Sequence, residues 1–281
     1  MLTLVWGTTW GAIRVGLRGI PPFTSVALRF AIASSILLAA SRLLRVRLGA
    51  QPYERRLWLV NGVLFFSVSY GVVYWSEQFV PSGLAAILFA TFPMLVSLFA
   101  HGLLPGERFR PRAGAGVLLA FAGIVVIFSE DFTGIGGPKT ATAAAVLLLS
   151  PVVSSVSSVV VKRWGAGIHP ISLAGVPMAI ASVVMAAAAL LFERERPLDW
   201  SRTAVAALAY LSVVGSALTF TLYYWLLRHV RASRLALIAY ATPVIAVIAG
   251  VVFLGEPLTA RFVIGGGLVI AGVAFAVRAR Y

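Results

Sequence analysis

A chain of 281 residues that is 60% hydrophobic and only 11% charged, with a mean hydropathy of +0.96, has too little polar surface to fold as a water-soluble globule. Its formal net charge of +14 comes from residues placed in short connections between apolar runs, which excludes the continuous basic stripe of a nucleic-acid binder. It has no cysteine, so neither a disulfide framework nor a thiolate metal site is available.

In chain order, ten apolar segments follow one another: Leu2–Leu17, Thr24–Leu44, Leu57–Glu77, Ser82–Leu104, Arg112–Phe128, Thr140–Val161, Ile171–Phe192, Thr203–Leu227, Ala232–Leu254 and Arg261–Val277. Most approach the roughly 20 residues that cross the hydrocarbon as a helix. Runs such as Val117–Phe128 lack the alternation of a barrel strand. The expectation is an all-α membrane protein with ten transmembrane helices. The first segment has no basic leader or small-residue cleavage site, and Trp6, Trp10 and Arg14 interrupt it, so it does not read as a cleavable signal. It is short, and either its start lies upstream of Met1 or the helix begins within the interface.

The third and fourth segments return as the eighth and ninth. Tyr74-Trp75, Val80, Ala86 and Pro93 recur as Tyr224-Trp225, Val230, Ala236 and Pro243, each 243 − 93 = 150 residues on. At nearly the same spacing Gly19-Ile20 recurs as Gly167-Ile168, Ala31-Ile32-Ala33-Ser34 as Ala179-Ile180-Ala181-Ser182, and Gly106-Glu107 as Gly255-Glu256. The chain therefore divides into two five-helix repeats, 1–130 and 138–281. An odd number of crossings per half turns the second copy upside down, which is the inverted architecture of many secondary transporters.

Loop charge agrees with the inversion. Basic residues follow every even segment: Arg42, Arg45 and Arg47; Arg108, Arg110 and Arg112; Lys162 and Arg163; Arg228, Arg231 and Arg234; Arg278 and Arg280. Exits of the odd segments are sparse or balanced, as in the Glu193–Arg202 run, so both termini are expected in the cytoplasm.

Trp6-Gly7-Thr8-Thr9-Trp10, Ala27-Leu28-Arg29-Phe30, Ser82-Gly83-Leu84-Ala85-Ala86-Ile87 through Pro93, and the Gly-Glu before the fifth and tenth segments together resemble the drug/metabolite transporter superfamily, in particular ten-helix exporters built from two EamA domains. The resemblance covers nearly the whole chain. It implies export of metabolites and amino acids by alternating access through a central cavity, in a bacterial inner membrane.

The residues point to the same cavity. Ser67, Tyr70 and Tyr74 share a helical face, and Phe220 and Tyr224 repeat the aromatic stripe in the second half. Trp6 and Trp10 align with Ser154 and Ser158, so one half offers indoles where the other offers hydroxyls. With Phe89, Ala90 and Tyr240 beside the prolines, these residues form a candidate solute site that would stack a planar or apolar body. Small residues and aromatics equally suit helix packing. Pro93 and Pro243 read as matched bends, because a mid-helix proline removes one backbone hydrogen bond. Arg29 and Glu77 are the ionisable groups within segments that would pair, gate the outer mouth or bind a solute's charges. Arg14 and His101 read as interface residues.

No His-Glu-x-x-His or Gly-x-Ser-x-Gly pattern occurs, and Gly265-Gly266-Gly267 lies in an apolar helix, where it serves packing rather than phosphate binding. No cofactor is expected. The expected partners are a small-molecule solute and the bilayer. The competing readings are a non-transporting scaffold or regulator and, behind it, a membrane-embedded enzyme.

Overall fold

The computed structural model describes residues 1–49, 51–80, 82–107, 110–127, 129, 138–242, 244–245 and 260–278. Among these residues the protein is helical, with no strand. The helices are α1 (Leu2–Gly16), α2 (Pro22–Leu43), α3 (Pro52–Ser76), α4 (Ser82–Phe89), α5 (Phe92–Leu103), α6 (Pro111–Ile127), α7 (Lys139–Trp164), α8 (Pro170–Phe192), α9 (Arg202–His229), α10 (Ala232–Leu235) and α11 (Ala260–Arg278). Helices α2, α3, α7, α8 and α9 are long and apolar enough to cross a bilayer, and α5, α6 and the stretch Val263–Ala276 are shorter apolar helices. Intrahelical hydrogen bonding leaves few backbone groups facing lipid, which is why apolar runs of this length take this form.

Three features depart from a reading of ten plain helices. Helix α3 begins at Pro52 rather than Leu57, because Gln51 and Glu54 form a capping box, with the Gln51 N–H donating to the Glu54 carboxylate at 2.8 Å. The fourth segment breaks at Ala90-Thr91 into α4 and α5. Pro93 consequently stands in the first turn of α5 rather than in the middle of a helix. There its missing N–H costs nothing, since the first-turn donors have no intrahelical partner. Pro243 lies outside the described residues.

The third departure is a π-helical stretch in each half, Asn61–Ser69 within α3 and Val213–Leu218 within α9. In each a hydroxyl bonds back five residues: Ser67 Oγ donates to the Gly62 carbonyl at 2.8 Å, and Thr219 Oγ1 donates to that of Val214. Wider turns of this kind rotate every later side chain to a new face and recur at functional sites.

Helix ends are tied by charged side chains from distant segments. The Glu193 carboxylate accepts the Phe23 and Thr24 N–H groups at 2.9 and 2.8 Å, at the start of α2. Glu107 does the same at α10, accepting from Ala232 N–H at 2.8 Å and Ser233 Oγ at 2.6 Å. At the end of α9, Lys162 Nζ donates to the Leu227 and Val230 carbonyls at 2.6 and 2.9 Å. Each places charge where the helix dipole favours it and satisfies terminal groups that lipid cannot.

His169 caps α8, accepting the Ile171 N–H on Nδ1 at 3.2 Å. Burial and then the neighbouring Arg228 push its pKa below the ordinary histidine value, so folding favours the neutral ring. This cap's contribution is therefore complete above the unfolded-state pKa and fades as pH falls toward the folded-state one. The ring is largely solvent-exposed and the effect correspondingly small. A melting-temperature series across pH should show His169→Asn keeping the cap and losing that pH dependence; an unchanged dependence would assign it elsewhere.

Candidate functional site

A cavity of ≈ 100 Å³ lies between α1, α3, α9 and the segment after α10. Its aromatic wall is made of two groups of touching rings. Trp6 packs against Phe220 and Tyr223 with ring centroids 5.7 and 5.4 Å apart, and Trp10 meets Phe89 edge-on at 5.8 Å. Phe65 and Tyr70 extend the wall to Phe220, at 5.5 and 6.1 Å. These tilted and edge-to-face contacts suit the ring quadrupole and leave faces to offer a guest. Polar groups among the described wall residues are the hydroxyls of Thr9, Ser69, Tyr70, Ser154, Tyr223 and Thr242, the indole N–H of Trp6 and Trp10, and one charged residue, Arg29. Ser154 Oγ donates to Ser69 Oγ at 2.7 Å, and Ser69 in turn shares a 2.7 Å hydrogen bond with Ser150.

Arg29 is 1% exposed. Its Nε donates to Ser216 Oγ at 2.7 Å, Nη1 to the Tyr74 hydroxyl at 2.9 Å, and Nη2 to the Gly215 carbonyl at 3.1 Å. The guanidinium also lies 4.9 Å from the Tyr70 ring centroid and 5.7 Å from that of Phe30. Residues from α2 and α3 are thereby joined to the π-helical stretch of α9.

Trp6, Trp10, Tyr70, Phe89, Ser154, Phe220 and Arg29 line the cavity, while Tyr74, Ala90, Ser158, Tyr224 and Tyr240 do not. Tyr74 stands behind Arg29 as its acceptor. Ser158 accepts from the Tyr223 hydroxyl at 3.1 Å, placing Tyr223 rather than itself at the wall. The Tyr224 hydroxyl accepts from Asn61 Nδ2 at 2.8 Å, a bond that turns it away from the cavity. Ala90 and Tyr240 pack together toward α6 and α11. Phe65, Ser69 and Tyr223 join the wall without having been singled out by sequence. A straight α-helical wheel placed Ser67 with Tyr70 and Tyr74, but the π turn spends the Ser67 hydroxyl on Gly62 and brings Phe65, Ser69, Tyr70 and Val73 to one side.

Glu77 is 4% exposed, and neither carboxylate oxygen has a hydrogen-bond partner. It does not line the cavity, and the charges of Arg14 and Arg29 act on it without a hydrogen bond. A buried carboxylate with no hydrogen bond opposes folding, so Glu77→Gln should leave thermal stability in detergent unchanged or raise it by up to about 1 kcal/mol. A clear loss would mean that attraction to the two arginines outweighs the cost of burying the carboxylate. Among the described residues no group of three or more His, Cys, Asp and Glu side chains comes together.

Apolar helices of membrane-crossing length around an aromatic cavity that holds one buried cation define a polytopic membrane protein with an internal solute-sized site. The EamA-like transporter family profile matches residues 1–129 and again residues 141–278, and the chain belongs to that family, within the drug/metabolite transporter superfamily. It is 29% identical over 286 residues to the uncharacterized inner membrane transporter YedA of Escherichia coli strain K12, covering 100% of this chain and 89% of that one. Similarity to the uncharacterized transporter YoaV of Bacillus subtilis strain 168 is 25% over 273 residues, covering 97% and 92%. A solved crystal structure superposes with a TM-score of 0.84 at 25% identity, covering 99% of this chain and 95% of that one. The protein is an integral membrane transporter.

Proposed function

We propose that the protein is a secondary transporter that exports small metabolites bearing an aromatic or apolar portion, amino acids among them, by alternating access between two inverted five-helix halves, 1–130 and 138–281. Both termini lie in the cytoplasm, and the membrane is a bacterial inner membrane, as named for the Escherichia coli relative. The observation that carries this reading is the make-up of the cavity wall. Tyr70 and Phe220, Val73 and Tyr223, Phe89 and Ala239, and Phe92 and Thr242 all line it, and each pair is related by the spacing of the sequence repeat. A site built from equivalent positions of two halves is what rocking of one repeat against the other exposes to each side in turn. The family profile matching twice supports the same division.

The absence of native cysteine makes the test direct. Single cysteines at Gln78 and Val230 should react with a membrane-impermeant thiol reagent from opposite faces of the bilayer. Labelling from the same face would remove the inverted arrangement. In reconstituted vesicles, Phe220→Ala should slow solute counterflow about tenfold or more, the loss of roughly one aromatic contact at about 1.4 kcal/mol per factor of ten. Unchanged counterflow would place the solute path elsewhere.

A further inference from the structure

We infer that the solute is a net-anionic carboxylate with a body the size of one aromatic ring, held by its carboxylate on Arg29. The inference rests on the transport reading above and narrows its substrate class.

Arg29 is held by neutral neighbours. All three of its hydrogen bonds go to neutral acceptors, two hydroxyls and a carbonyl. A guanidinium carries five N–H donors, so two are left over beside the Tyr70 hydroxyl at a residue that faces the cavity. Among the described residues no carboxylate is hydrogen-bonded to it: Glu77 is near enough for its charge to act on the guanidinium but makes no hydrogen bond and does not reach the cavity. Neutral acceptors and aromatic faces orient the cation but do not cancel its charge. A buried cation with no anion in contact is expensive within a bilayer, and such a group marks a ligand path when it faces a cavity. A guanidinium with N–H groups to spare also suits a carboxylate, the acceptor whose two oxygens match its fork.

Selection against other charge types follows from the rest of the wall. Among the described residues it contains no Asp or Glu, and Arg29 is its charged group. The ammonium of a zwitterion would find hydroxyls and ring faces but no carboxylate among the described wall residues, close to a fixed cation, and Ser69 and Ser154 already bond each other. A monoanion is therefore preferred over an amino acid. The size of the body follows from the volume, which at ≈ 100 Å³ is of the order of cavities that take up a benzene ring, about 150 Å³. Trp6, Trp10 and Phe220 supply its faces.

The test uses purified full-length protein and four probes of one shape: phenylacetate, phenylacetamide, phenylalanine and phenethylamine. Binding is read by quenching of tryptophan fluorescence, to which Trp6 and Trp10 contribute, and flux by counterflow in vesicles. Phenylacetate should bind about tenfold or more tighter than phenylacetamide, with phenylalanine between them and phenethylamine weakest. Arg29→Lys should keep this order with weaker affinity. Arg29→Gln should bring the carboxylate-to-amide ratio to about one while leaving amide binding in place, which a merely structural arginine would not do. If the glutamine variant fails to fold, the unmodified protein and the lysine variant decide. Equal affinity for carboxylate and amide, a preference for the zwitterion, or no binding of any probe overturns the inference. Carboxylate-selective binding without flux would leave the anion site standing and remove the transport reading. Flux of amide or zwitterion without carboxylate preference would do the reverse.

Discussion

Gly272→Leu is expected to leave little or no folded protein. A Cβ on Gly272 would sit 2.4 Å from the Ala120 nitrogen, 2.6 Å from the Gly116 carbonyl oxygen and 2.8 Å from the Ala120 Cα. All three are backbone atoms of α6, so no side chain can swing aside and the helices must part. The seam is continuous: Gly116, Gly123 and Gly265 would each place a Cβ 2.5 Å from backbone of the facing helix. Association in lipid rests on such close backbone approach, because lipid tails are as apolar as the side chains they replace. Overpacking a tight interior costs about 1–3 kcal/mol where neighbours can yield, and separation of two backbones exceeds that, against a total stability of about 5–15 kcal/mol. Size-exclusion chromatography in mild detergent should show Gly272→Leu aggregated. The control lies in the same run of sequence. Gly267 has open space where its Cβ would go, so Gly267→Ala should fold normally and gain up to about 1 kcal/mol from helix propensity. A well-behaved Gly272→Leu would refute the close packing of α6 on α11.

The second large effect is expected at Asn61, a residue that hydropathy and motif alike pass over. It is 1% exposed at the start of the π stretch of α3. Its Nδ2 donates to the Leu173 carbonyl at 3.0 Å and to the Tyr224 hydroxyl at 2.8 Å, while Oδ1 accepts from Ser157 Oγ at 2.9 Å. One side chain thus joins α3 to α7, α8 and α9. Asn61→Leu conserves bulk and strands three buried polar groups. Single hydrogen bonds between membrane helices average about 0.6 kcal/mol with a maximum near 1.7, so the loss should total about 2–4 kcal/mol. Tyr224→Phe removes only one of the partners and should cost about 1 kcal/mol. Thermal unfolding of both variants in one detergent checks the ratio; equal losses would mean that the tyrosine, not the asparagine, holds the network.

Asn61 and Gly272 show where sequence reasoning thins out. Gly272 belongs to the repeat, matching Gly123, whereas Gly267 falls on Leu118, but the repeat by itself does not say which of the two meets another backbone. Only the facing helix makes that difference. Phe65 and Ser69 reach the cavity because the π turn moves them there, and Tyr74 leaves it because Arg29 claims its hydroxyl. Phe220, Tyr70, Trp6, Trp10 and Phe89 were legible, since aromatics at repeat-related places in helices of membrane-crossing length are distinctive enough to survive a rotation of part of one helix.

By itself the sequence determined the all-helical membrane character, because lipid offers no partner to backbone N–H and C=O groups and leaves long apolar runs little choice but the helix. It also carried the family, through motifs spread over both matched stretches. Only the tertiary structure decided which face of each helix meets the cavity, which meets another helix and which is left to lipid. Hydropathy is nearly blind to that division, since all three surroundings accept the same apolar side chains; close backbone approach, π turns and the partners of a few buried polar groups settle it.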